Sequence, residues 1–166
     1  MAETAASPFK QYMRGIGLRQ VRLATGLVLF AYLVSHFTNH ALGNISLSAM
    51  DDALYYHAMF WQSWPVAIVF YGATLTHMSL GVWALYASRQ FRWTAIEVTQ
   101  LVFGLSIPML VVSHVVGVRL AGVMFAHEKD YPQTFFAYWV SWLPGMWMMY
   151  AALIVSWVHG CIGIYF

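Results

Sequence analysis

The chain has 166 residues, of which 61% are hydrophobic, 17% aromatic and only 8% charged, with a formal net charge of +2. A soluble domain carries about 25% charged residues, so this surface could not be wetted all round, and one compact membrane bundle is expected. A lone cysteine, Cys161, excludes an internal disulfide or a cysteine-based zinc or iron–sulfur site made by this chain alone, and no nucleic-acid partner fits.

Residues 1–17 carry Pro8, Lys10 and Arg14 and read as a cytoplasmic lead-in; residues 18–166 form the membrane anchor. The apolar run that begins near Leu23 is too long for the core of a signal peptide and is expected to stay as a first span. A bilayer core takes about 20 apolar residues as helix. Four segments meet that requirement: 18–41, 65–88, 94–124 and 134–166. Pro65 suits the first turn of the second, where a missing N–H costs nothing. Pro108 and Pro144 fall inside the third and fourth, where each is expected to kink its helix. Between the first two spans, Ser48 and Asp51 form a capping-box pattern that predicts a short interfacial helix over 49–61. Residues 125–133 form a polar loop with His127, Glu128, Lys129 and Asp130, and no internal repeat is evident.

Basic residues precede the first span (Lys10, Arg14, Arg19, Arg22) and separate the second from the third (Arg89, Arg92), whereas acidic residues gather on the other side (Asp51, Asp52, Glu128, Asp130). The positive-inside rule then places the N-terminus in the cytoplasm of a multi-pass inner-membrane protein. The chain stops at Phe166 while still apolar, so more protein is expected to follow on the cytoplasmic side.

Polar groups inside a span are costly, and an intramembrane histidine is a functional hypothesis by default. Each span has one: His36, His77, His114 and His159. Singly, each could be a neutral imidazole bonded to a neighbouring helix. One per helix is better explained by haem, whose iron takes neutral imidazole as axial ligand. At about 1.5 Å per residue, His36 lies about 20 Å up from the cytoplasmic edge, His114 about 25 Å, His77 about 18 Å, and His159 near the inner end. This predicts two b-type haems: an outer one between His36 and His114, and an inner one between His77 and His159. His77 fits least well, being nearly level with His36.

Gly81, Gly117 and Gly160 stand near these histidines, where a flat ligand would need room or where helices simply pack closely. Arg119 lies toward the outer end of the third span, where an unpaired guanidinium would be expensive; a haem propionate is its favoured partner, with snorkelling toward Asp130 as the alternative. His40 shares a face with His36 and could replace it as ligand or touch a propionate. His57 and His127 read as solvated interfacial residues. Trp61, Trp64, Trp93, Trp139 and Trp142 read as interfacial belts.

The run Arg22-Leu-Ala-Thr-Gly26, with His36 ten residues after the glycine, resembles the first helix of the diheme cytochrome b subunits of succinate dehydrogenase and fumarate reductase. More narrowly, His77-x-x-x-Gly81, Leu85-Tyr86, Gln100-Leu-Val-Phe-Gly104, Pro108 and His114-x-x-Gly117-x-Arg119 resemble the cytochrome-b-type membrane anchors of bacterial class III adenylyl cyclases, over about residues 18–160. The resemblance implies an all-α, four-span bundle with bis-histidine haems, fused to or associated with a cytoplasmic effector, as a homodimer surrounded by lipid. It gives these residues no cyclase chemistry. A respiratory electron-transfer subunit meeting quinone beside Ser106, Ser113 or Tyr138 is the competing expectation. A purely structural anchor is a third, and a site binding copper or another transition metal directly a fourth, were all four histidines to converge at one depth.

Overall fold

A computed structural model describes residues 17–87, 93–125 and 131–165. Among these, every regular element is helical. Four helices are long and apolar enough to cross a membrane, which fits a multi-pass membrane protein.

Helix α1 (Leu18–Ala41) ends in a short 3-10 turn, Leu42–Asn44. The interfacial helix α2 follows as Leu47–Trp61. Its cap is Ser46, not the expected Ser48: the Ser46 side chain accepts from the Ala49 N–H at 3.0 Å. Ser48 already lies inside the first turn, so its hydroxyl is not placed to receive the leading N–H groups. Asp51 has another use, accepting from the Tyr131 N–H at 3.2 Å and so tying α2 to the outer end of the fourth segment.

Helix α3 (Trp64–Ala87) has Pro65 in its first turn, as expected. Helix α4 (Ala95–Val115) opens on a capping box. The Thr94 hydroxyl receives the Glu97 N–H at 3.3 Å, and the Glu97 carboxylate accepts from the Thr94 N–H at 2.8 Å. It continues through a π-helical turn, Val116–Leu120, into α5 (Ala121–Phe125). The whole 31-residue rod is about 46 Å long, more than the ~30 Å hydrocarbon core, so it tilts or projects beyond the bilayer.

The fourth segment departs most from expectation. It is not one kinked helix but two pieces: α6 (Tyr131–Phe135) with a π-helical extension, Phe136–Ser141, and then α7 (Leu143–Tyr165). The break is at Trp142, whose φ of −138° and ψ of 82° leave the helical region. Pro144 therefore sits in the first turn of a new helix, where it lacks no bond it would have made. Gly145 is buried below the break, where a Cβ would stand 2.7 Å from the Tyr138 ring. A side chain there would exclude the aromatic packing that closes the corner.

Helix α1 packs against α3 and α7, and α4 packs against α7. Phe30 of α1 lies over Gly160 and 5.6 Å (between ring centroids) from Trp157. Large apolar side chains such as Leu75 and Met109 point outward, 69% and 75% exposed, a surface suited to lipid.

Candidate functional site

The four intramembrane histidines fall into two cross-helix pairs, and they are the pairs expected. His36 of α1 faces His114 of α4, with ring centroids 5.9 Å apart. His77 of α3 faces His159 of α7 at 6.2 Å, the rings perpendicular at 88°. Two imidazoles bound on opposite sides of one metal, each nitrogen about 2 Å from it, have centroids about 6 Å apart. Both pairs have a ring separation compatible with one iron between them, although His36 Nε2 of the outer pair is turned to His40 in this structure. The four do not converge at one depth, as a single directly bound metal would need. Among the described residues, no three His, Cys, Asp or Glu side chains group as a metal cluster.

The inner pair is fixed by backbone. His77 Nδ1 lies 3.1 Å from the Arg22 carbonyl, and His159 Nδ1 lies 3.0 Å from the Gln100 carbonyl. A carbonyl can only accept, so each Nδ1 carries the proton and each Nε2 keeps its lone pair. That is the tautomer a metal ligand requires, held by the partner a metal-bound imidazole commonly has. Thr25 Oγ1, 3.4 Å from His77 Nδ1, lies beside the same nitrogen.

Two glycines give these rings room. A Cβ on Gly26 would stand 3.1 Å from His77 Cε1, and one on Gly104 would stand 2.7 Å from His159 Cε1. Neither was among the three glycines expected at the site. A Cβ on Gly81 would meet nothing within 4 Å, Gly160 receives the Phe30 ring, and Gly117 lies near the Tyr138 hydroxyl. The signal was nonetheless in the sequence. Arg22, Gly26 and His36 on α1 have the same spacing as Gln100, Gly104 and His114 on α4. In each set the first residue supplies the carbonyl, the second the space, and the third, ten residues beyond the glycine, a histidine of the other pair. Hairpin α1–α3 is thus repeated in hairpin α4–α7, a repeat carried by three positions and not by overall similarity.

This register also corrects the depth of His77. Its ring touches Gly26, ten residues and about 15 Å below His36 along α1, so the two are not level. Counting residues from each helix end took the ends as coplanar, and the close approach at Gly26 sets a different offset.

The outer pair has a richer polar surround. His40 Nε2 lies 3.1 Å from His36 Nε2, with the rings edge-to-face. His40 in turn packs against Tyr131, whose hydroxyl accepts from the buried Asn39 amide. His57 is not simply solvated. It is half-buried against Tyr32 and His36, with Nε2 3.3 Å from the Ser35 hydroxyl, which also accepts from Trp61 Nε1 at 3.0 Å. Burial holds the His57 pKa below its usual value. Trp61 thus bonds inward and does more than mark an interface, whereas Trp64 is 82% exposed as a belt residue would be. Tyr138, buried, lies 6.2 Å from the His114 ring, and burial raises its pKa; the nearby chain also carries the buried Ser113 hydroxyl, which has no hydrogen-bond partner among the described residues. Ser106 bonds to its own helix at the Phe103 carbonyl.

Arg119 donates to the Gln62 side-chain oxygen at 2.7 Å, linking the outer end of the third span to the end of α2. His127 and Asp130, the alternative partner of Arg119, lie outside the described residues. Comparison with protein families, with characterised proteins and with solved structures finds nothing that matches this chain.

Proposed function

We propose that this chain is a diheme b-type cytochrome membrane anchor. The observation that carries the reading is the pair of opposed imidazoles at each of two levels, 5.9 Å and 6.2 Å apart, with the inner rings tied through Nδ1 to helix carbonyls. His77 and His159 would hold the inner haem and His36 and His114 the outer one. When bound, haem supplies a one-electron couple tuned by its axial ligands and by burial. Gly26 and Gly104 keep the inner rings in place, and Phe30 with Trp157 fills the apolar layer between the levels. Arg119 stands at the outer end of its span, where it could exchange or share its Gln62 bond with a propionate, since guanidinium pairs with carboxylate through two parallel bonds.

In the favoured version the anchor belongs to a larger signalling protein of the bacterial inner membrane, its N-terminus cytoplasmic. It would pass a redox or ligand state to a cytoplasmic effector such as an adenylyl cyclase, in a homodimer. That version rests on the motif resemblance and on the arginines flanking the spans. The alternative is an electron-transfer subunit of a succinate dehydrogenase-like quinone oxidoreductase, favoured by the buried Tyr138, 6.2 Å from the His114 ring, and the unpartnered Ser113 hydroxyl, polar groups a quinone could meet.

Titration of haem into purified apoprotein tests the proposal. Low-spin, six-coordinate ferric spectra that saturate, and that change in His114→Ala and His159→Ala at separate sites, would support it. Spectra of free or high-spin haem would overturn it. Reoxidation of the reduced chain by a short-chain quinone would favour the respiratory version.

A further inference from the structure

Resting on the haem reading, we propose that the two levels differ in kind: the inner site is fixed, and the outer site holds a reserve ligand, His40. At the inner level each imidazole is committed. His77 and His159 are bonded through Nδ1 to Arg22 and Gln100, and neither has a second histidine one turn away on its own helix.

The outer level is built otherwise. His40 is one helical turn beyond His36 on the same face of α1, and the two Nε2 atoms stand 3.1 Å apart. That is an ordinary N–H···N hydrogen-bond distance, and it brings the two ligating-type nitrogens to one point beside the helix. A metal position within reach of one is therefore within reach of the other after a side-chain rotation. His36 is stacked on Tyr32 at 5.5 Å, and His40 packs edge-on to Tyr131 at 5.4 Å, so each imidazole has a seat of its own when not coordinating. Exchange would break the bond from His36 Nε2 as the bond from His40 Nε2 forms. In the 3.1 Å contact one Nε2 carries a proton, so the incoming ring must first hold its proton on Nδ1, a shift within one neutral imidazole; no electron or proton leaves the site. The consequence is a responsive outer site above an invariant inner one, suited to a chain that reports a state.

The test is haem content and low-temperature electron paramagnetic resonance of the whole chain carrying His36→Ala, His40→Ala, the double change, or His77→Ala, each checked for monodisperse size in detergent. His36→Ala is expected to keep the wild-type haem content within about a fifth, with low-spin features shifted. The double change is expected to lose half the haem, as is His77→Ala alone. If His36→Ala by itself loses half the haem while wild type holds two, His40 is no ligand and the inference fails though the diheme reading stands. If wild type binds no haem, both fail. Should His36→Ala prove misfolded, His36→Phe, which keeps a ring stacked on Tyr32 but cannot ligate, decides: wild-type haem content with shifted low-spin ferric features supports the exchange. Loss of half the haem in that variant overturns it.

Discussion

Gly104→Ala should uncouple the inner site while leaving the bundle assembled. A Cβ at this position would lie 2.7 Å from His159 Cε1 and 3.2 Å from Nδ1, against ordinary contacts from 3.4 Å. The ring must retreat by about 0.7 Å, the difference between 3.4 and 2.7 Å. His159 cannot do so and keep its 3.0 Å bond to the Gln100 carbonyl, because that carbonyl belongs to the same helix as the intruding methyl. Overpacking of this kind costs about 1–3 kcal/mol. Loss of an outer-shell partner lowers metal affinity about 10–100-fold. The assay is haem dissociation from the inner site, followed optically as haem transfers to an apo-acceptor protein, with Gly81→Ala as the comparison because its Cβ meets nothing within 4 Å. Gly104→Ala should speed inner loss at least tenfold, Gly26→Ala less because its contact is 3.1 Å, and Gly81→Ala not at all. Equal rates for Gly104→Ala and Gly81→Ala would refute the claim that these glycines seat the histidines.

Three further outcomes follow from the packing. Gly160→Ala would put a methyl within 2.6 Å of the Phe30 ring, so it should lower the midpoint of thermal unfolding in detergent, and Phe30→Leu in the same chain should restore part of the loss. Tyr131 has its pKa pushed up to about 12, chiefly by burial, so the folded state binds its proton more tightly than the unfolded state does. Stability contributed there is present below about pH 10, the unfolded value, and is lost as pH rises toward 12. The outer segment should therefore detach on the alkaline side, seen as faster amide exchange in α6, and Tyr131→Phe should remove that pH dependence. Arg119→Gln should lower the reduction potential of the outer haem without changing haem content, measured by redox titration, because a nearby cation favours the electron-rich state. An unshifted potential would leave Arg119 as a strut to Gln62 alone.

The spans were legible because an apolar run of bilayer length has few other uses, and the histidine pairing was legible because charge and polarity there are so rare. Register was not. Nothing in α3 alone says that His77 sits against Gly26, since that offset is set by where two backbones can approach. The Pro144 break was misread for a related reason. A proline in a long apolar run can kink a helix or begin one, and the choice turns on Gly145 admitting Tyr138 and Trp142 at the corner. His57 lies on a short helix whose polar residues suggest water, yet the fold of α2 onto α1 brings it to Tyr32 and Ser35. The repeat of Arg22, Gly26 and His36 in Gln100, Gly104 and His114 is hard to see in the sequence, because it is a matter of spacing at three positions around the histidines.

The most direct test of the account is the haem-to-chain ratio of the purified protein, expressed with ample haem supply, by pyridine haemochrome and reduced-minus-oxidised spectra. Two b-type haems per chain, with the inner one absent in both His77→Ala and His159→Ala and the outer one in His114→Ala, is the predicted result. A folded chain carrying no haem would contradict it, and the paired imidazoles would then be packing between helices or ligands of another metal.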